Sequence, residues 1–250
     1  MGGCISTDRI LSKLDEYLHK NDYVSAERHL VYWLDEATGA GDVRTELLTC
    51  NELMGLYRKL GRRDEAIGCA ERALDLISAR GIGEQVGAAT TYLNAATVYK
   101  AFGRAADGIG LFEQAKTIYE RELDPNDTRL AGLYNNMALA LVDLGRFTEA
   151  KDLYRNAVSV LQKSDTGAPE IAITYLNMAS AAEAERGLED AAEEIEAFLG
   201  RAEQLLEDYP TRDGYYAFVC EKCATVFGYY GHFYYAEELK ARAGRIYEGN

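Results

Sequence analysis

Apolar residues recur along this chain at intervals of three, four and seven, in paired stretches separated by short polar turns. That period belongs to amphipathic helices that each bury one stripe. Ile10, Leu14 and Tyr17 open the first stretch, so the first helix is predicted to start near Asp8. Ser6 or Thr7 then stands where an N-cap is needed, and Asp8 suits the positive end of the helix dipole. The pairing is clearest in KLGRRDEAIGCAERAL from Lys59, AFGRAADGIGLFEQAK from Ala101 and DLGRFTEAKDLYRNAV from Asp143. Each carries Gly-Arg, a small residue five positions after the glycine and an alanine twelve after it.

The glycines of these segments, Gly61, Gly103 and Gly145, are 42 residues apart, and the frame extends in both directions. Asn21 anchors a copy before them; Arg186 and Gly231 anchor two after them. Four before the anchors stand Tyr17, Tyr57, Tyr99, Leu141, Ala182 and Phe227. Seven before stand Leu14, Met54, Ala96, Ala138, Ala179 and Ala224, and five after stand Ala26, Ala66, Gly108, Ala150, Ala191 and Ala236. Such columns on either side of a break describe two helices joined by a tight turn. The small residue after the turn lets the two helices approach closely, and the large one before it fills space between neighbouring pairs.

The pattern resembles the tetratricopeptide repeat (TPR), in which an aromatic residue four before a glycine precedes alanines five and twelve after it. The ordinary repeat is shorter; the 42-residue period here, with LYNNMALALVDLGRFTEAKDLYRNAVSVL, resembles the kinesin-light-chain style. No heptad segment precedes the repeats, so a protein other than kinesin light chain itself is expected. The resemblance implies an all-α fold, a right-handed TPR superhelix (α-solenoid) of about six helix-turn-helix repeats. The expected organisation is a flexible N-terminus over 1–7 and one solenoid over 8–250. Its repeats fall at about 8–40, 41–81, 82–124, 125–166, 167–209 and 210–250. Pro125, Pro169 and Pro210 all fall between repeats, where a missing N–H costs little.

Charge and composition narrow the partners. The net charge of −14 repels phosphate backbones and anionic lipid, which argues against nucleic acid and against a membrane surface. No run approaches a membrane-spanning length, and no secretory leader is visible. Five cysteines suggest no disulfide framework, so a cytoplasmic, reducing setting is expected.

Catalytic chemistry finds little footing. CEKC, Cys220 to Cys223, with His232 downstream, offers three ligands of a metal site, but no second pair lies nearby. Both cysteines occupy packing columns of the repeat. His19 and His29 are expected on the surface, and Glu189–Glu196 on the solvated face of a helix. No phosphate loop, carboxylate pair or nucleophile set appears, so no enzyme, cofactor or metal is expected.

The column nine before each anchor reads Ser12, Glu52, Asn94, Asn136, Asn177 and Lys222. Asparagine disfavours helix interiors, so three in one column ask for a compensating role. A carboxamide can hold a peptide unit whatever its side chain. In the family resembled, first helices line a concave groove and asparagines at this position contact an extended peptide. The resemblance therefore implies a peptide-binding groove at Asn94, Asn136 and Asn177, with Thr97, Lys100, Arg58 and Lys222 alongside. The alternative is that these amides bond to an adjacent helix and stabilise the stack. The complete Lys/Asn/Lys/Arg set that clamps a C-terminal carboxylate is not evident. The expected function is a non-catalytic module binding a peptide or partner protein. A ligand-sensing regulator with a separate output partner is the second reading.

Two ends raise further expectations. The last repeat is rich in tyrosine: either Tyr229, Tyr230, Tyr234 and Tyr235 cap that end through their hydroxyls, or it docks, as a homodimer would. MGGCIS matches an N-terminal acylation pattern with Cys4 as a second anchor, which would make a tethered scaffold. A plain helix cap explains the serine and the acid equally.

Overall fold

The computed structural model describes residues 6–249. Gly2, Gly3 and Cys4 of the acylation motif lie outside the described residues. Twelve α-helices and no strand are found among them. They are α1 (Thr7–His19), α2 (Tyr23–Ala40), α3 (Val43–Lys59), α4 (Arg63–Arg80), α5 (Val86–Ala101) and α6 (Ala105–Glu122). There follow α7 (Thr128–Asp143), α8 (Phe147–Leu161), α9 (Ala168–Arg186), α10 (Ala192–Asp208), α11 (Gly214–Tyr229) and α12 (Phe233–Tyr247). Consecutive helices pair into six helix-turn-helix repeats, as the columns predict. The chain divides after Glu122 into two compact units, α1–α6 and α7–α12.

The packing columns become the core of each unit. Leu14, Met54, Ala96, Ala138, Ala179 and Ala224 are all buried, as are Ala26, Ala66, Ala150, Ala191 and Ala236. Gly108 stands where the other repeats carry alanine. A Cβ there would lie 3.0 Å from the Ala96 carbonyl oxygen and 3.2 Å from its Cα, so α5 and α6 approach too closely for a methyl group. Within each unit a first helix also packs on the next first helix: α3 on α5, α7 on α9 and α9 on α11.

The turns follow the anchors with one correction. Asn21, Gly61, Gly103, Gly145 and Gly231 have positive φ, and the following helix begins two residues later. In the fifth repeat the positive-φ residue is Gly187, not Arg186, which is the last residue of α9. Gly187 has φ 82° and ψ 163°, a region essentially confined to glycine. The chain leaves α9 extended, and Leu188–Ala191 form an added turn before α10 starts.

Entry to the helices is set by short acids and prolines. Asp22, Asp42 and Asp213 each accept from the backbone N–H three residues on, at 2.9 to 3.1 Å. Ser6 occupies the N-cap of α1 with extended backbone, but its hydroxyl makes no capping bond. Pro169 lies in the first turn of α9; Pro125 and Pro210 lie in the segments before α7 and α11.

Charged side chains lock the last repeat. Arg242 of α12 donates to Glu207 of α10 at 2.9 Å, to Glu238 at 2.6 Å and to the Tyr216 hydroxyl at 2.7 Å. Tyr216 in turn donates to the Leu206 carbonyl, and Tyr235 donates to Glu207 at 2.8 Å. Tyr229 and Tyr230 both donate to Glu183 of α9, at 2.6 and 2.7 Å. Three of the four expected tyrosines thus use their hydroxyls within the unit, while Tyr234 stays almost fully exposed.

Candidate functional site

The first helices of the second unit each turn one stripe towards a shared groove. On α7 the stripe is Gly132, Asn135, Asn136 and Leu139; on α9 it is Glu170, Ile173, Leu176 and Asn177. On α11 it is Tyr215, Phe218, Lys222, Cys223 and Val226. These are spacings of three, four and seven, so each set lies on one helix face. The groove encloses about 430 Å³.

Apolar walls alternate with fixed polar groups. Leu139, Ile173, Phe218 and Val226 supply the first. Asn136 donates Nδ2 to the Gly132 carbonyl of its own helix at 2.8 Å, which leaves its side-chain oxygen for a partner. Asn177 makes no hydrogen bond among the described residues. The Tyr215 hydroxyl donates to Glu170 Oε1 at 2.6 Å. Burial, and then that bond to a carboxylate, push the Tyr215 phenol well above its ordinary range. The Lys222 ammonium sits 4.6 Å from the centre of the Phe218 ring, a cation–π contact at the rim.

Of the residues predicted from sequence, the groove brings together Asn136, Asn177 and Lys222. Asn94, Thr97, Lys100 and Arg58 belong to the first unit, on α5 and α3. There Asn94 donates Nδ2 to Asn51 Oδ1 at 2.8 Å, a bond that ties α5 to the adjacent first helix α3. Thr97 donates to the Leu93 carbonyl of its own helix, and Arg58 is exposed. Sequence reasoning passed over Asn51 and Asn135, ten before their anchors. Asn51 donates to Thr91 Oγ1 at 3.0 Å and Asn135 to Thr174 Oγ1 at 2.9 Å. An Asn followed by Thr 40 or 39 residues later was the visible signal.

The reactive-looking residues are packed away. Cys220 and Cys223 are fully buried, and burial pushes the Cys223 thiol up to about 12. No group of three or more metal-ligating residues is found among the described residues. His29, expected on the surface, is half-buried: its Nε2 lies 3.0 Å from the Ile10 carbonyl, with its ring edge-on to Tyr17 and Trp33. Two aromatic neighbours and a carbonyl of α1 make it a packing residue.

Comparison with known proteins agrees with this architecture. The family model for the tetratricopeptide repeat matches residues 47–121, 87–163 and 129–197, together more than half of the sequence. The chain belongs to the tetratricopeptide-repeat family. A kinesin light chain-related protein of Arabidopsis thaliana (KINESIN LIGHT CHAIN-RELATED 2) is 29% identical over 158 residues, 62% of this chain. The match spans 23% of that protein's own length. That similarity, the family match and the 42-residue period make these repeats kinesin-light-chain-like. Among solved structures, BtubC (BKLC) from P. vanneervenii superposes with a TM-score of 0.68 at 21% identity, covering 82% of each protein. A Rap protein complexed with competence and sporulation factor superposes with a TM-score of 0.54 at 15% identity, covering 95% of this chain and 73% of that one. Both share the TPR fold. That fold is typical of protein–protein interaction, and its family is generally a non-catalytic scaffold. No helix among the described residues is long and apolar enough to cross a membrane.

Proposed function

We propose that this TPR protein is a non-catalytic interaction module of the cytoplasm that holds an extended peptide, or an extended segment of a partner protein, in the groove of α7, α9 and α11. The observation that carries the reading is the alternation in that groove of apolar wall and carboxamide. Asn136 keeps its oxygen available and Asn177 keeps both ends of its amide. Carboxamides bind backbone N–H and C=O groups without regard to sequence, and the apolar wall beside them takes side chains.

A second reading treats peptide capture as a signal passed to a separate output protein. It draws on the Rap protein, solved in complex with competence and sporulation factor, whose fold is shared over 95% of this chain. Both readings use one groove. Selection of random peptides on the full-length protein, followed by Asn136→Ala and Asn177→Ala, tests them together. Loss of capture with helicity retained supports the groove; capture that survives both substitutions contradicts it. A change in the protein's own partners when peptide binds favours the regulator.

A further inference from the structure

We infer that the first unit carries a binding site of its own, a pocket between α6 and the segment joining α4 to α5, and that it takes the guanidinium of an arginine side chain on a partner protein. The site shares no residue with the groove of α7, α9 and α11, so the two stand or fall separately.

The pocket encloses about 430 Å³. It is lined by Gly83 and Glu84 of the joining segment, Tyr92 of α5, and Gly110, Glu113 and Thr117 of α6. The three residues of α6 are spaced by three, four and seven, so they share one helix face.

Gly110 is a residue that no internal contact explains. Glycine weakens a helix interior. Gly108 is required by the close Ala96 backbone, but a Cβ at Gly110 would meet nothing within 4 Å. Glycine at such a point leaves helix backbone open to close approach from outside. Gly83 keeps the facing segment equally bare: a Cβ there would lie 2.8 Å from the Tyr92 hydroxyl. Burial, and then the Glu84 carboxylate, raise the Tyr92 phenol, so it stays protonated.

The charged groups here are all acceptors. Glu84 and Glu113 bring carboxylates from the joining segment and from α6, and no basic side chain lines the pocket. The Glu113 carboxylate has no partner among the described residues. Thr117 donates its hydroxyl proton to the Glu113 carbonyl at 2.9 Å, which leaves its oxygen as an acceptor. The joining segment already holds one guanidinium: Arg121 donates Nη1 to Glu84 Oε2 at 2.9 Å and Nη2 to the Glu84 carbonyl at 3.1 Å.

A ligand for this set needs positive charge, several donors and no acceptor. A guanidinium has five N–H donors in one plane and accepts nothing. Its flat face suits the bare backbone at Gly110, and its forked edges suit carboxylates. An ammonium is a more strongly hydrated point charge with three donors. The net charge of −14 draws a basic partner and repels an anionic one.

The test is an NMR titration of the full-length protein with N-acetyl-arginine N-methylamide, which presents arginine as it stands inside a chain, and with its lysine and citrulline counterparts. The backbone amides of Gly83, Gly110 and Glu113 should shift saturably with the arginine compound. The other two should bind at least tenfold more weakly. Gly110→Ala, which should melt above wild type, and Glu113→Gln should each weaken arginine binding at least fivefold. Glu193→Gln, on the exposed acidic run of α10, should leave it unchanged. Equal affinity for the lysine or the citrulline compound overturns the guanidinium assignment. Unchanged binding in both pocket variants overturns the site, as do shifts spread evenly over the acidic surface or no saturable response. Free arginine, whose added carboxylate the two glutamates repel, should bind no tighter than the capped compound; tighter binding overturns the assignment to a partner protein. Peptide capture by the α7, α9 and α11 groove is measured separately and decides none of these outcomes.

Discussion

Asn94 Nδ2 donates to Asn51 Oδ1 at 2.8 Å, tying α5 back to α3 through two carboxamides and Thr91. Removing the donor leaves Asn51 with an unfilled acceptor in a half-buried site. Asn94→Ala is therefore expected to lower stability by about 1–2 kcal/mol, read from urea unfolding. Peptide capture by the α7–α9–α11 groove should be unchanged. The reverse pattern would place Asn94 in a ligand site.

Two glycines of α6 should respond with opposite sign. Gly108 faces the Ala96 backbone at 3.0 Å, so Gly108→Ala forces α5 and α6 apart and should cost about 1–3 kcal/mol. Gly110 is exposed on the same helix with nothing within 4 Å of a Cβ. Gly110→Ala should stabilise by about 0.5–1 kcal/mol through helix propensity alone. Thermal unfolding of the two variants against wild type checks both signs.

The lock on the last repeat predicts a response to acid. Burial raises the Glu207 carboxyl, but hydrogen bonds from Arg242 and Tyr235 outweigh it and hold the group below its ordinary value of 4.5. A depressed carboxylate contributes stability above its unfolded value and loses it as pH falls through the folded one. Wild type should therefore lose protection of α12 amides below pH 4.5, measured by hydrogen exchange. Arg242→Ala should loosen α12 at neutral pH, by about 1–3 kcal/mol, and should show less further loss in acid.

Thiol reactivity should report unfolding rather than function. Cys50, Cys220 and Cys223 are fully buried, and burial pushes Cys50 and Cys223 up to about 12. Iodoacetamide at neutral pH should leave these three unlabelled in the native protein and label them in urea, as mass spectrometry of digests would show. Rapid native labelling of the Cys220/Cys223 pair would reopen a chemical role for CEKC.

Much of the fold was legible because the repeat imposes the same steric demand six times. Ala26, Ala66, Ala150, Ala191 and Ala236 are small for one reason, and reading any of them reads all. The exception at Gly187 was hidden by Arg186, which keeps the packing columns in register while the turn itself moves one residue on. The site was half legible. Asn136 and Asn177 stood out as polar residues in an apolar setting. Asn135 did not, because its column reads Leu11, Asn51, Leu93, Asn135, Leu176 and Glu221 and its meaning lies in a threonine 39 residues later. Nor does sequence show that Asn94 donates to Asn51 while Asn177 makes no such bond. That difference depends on where two side chains point, and a repeat frame carries no information about it. His29 was misplaced for a similar cause: its aromatic neighbours Tyr17 and Trp33 come from different helices.

The central claim is that the groove of α7, α9 and α11 holds an extended peptide through its carboxamides. The most direct measurement is the affinity of a library-selected peptide for wild type and for the double variant Asn136→Ala/Asn177→Ala, with circular dichroism on both. At least a tenfold loss of affinity is predicted, about 1.4 kcal/mol or more, with the helical signal unchanged. Equal affinity for the two proteins, at equal helicity, would contradict it.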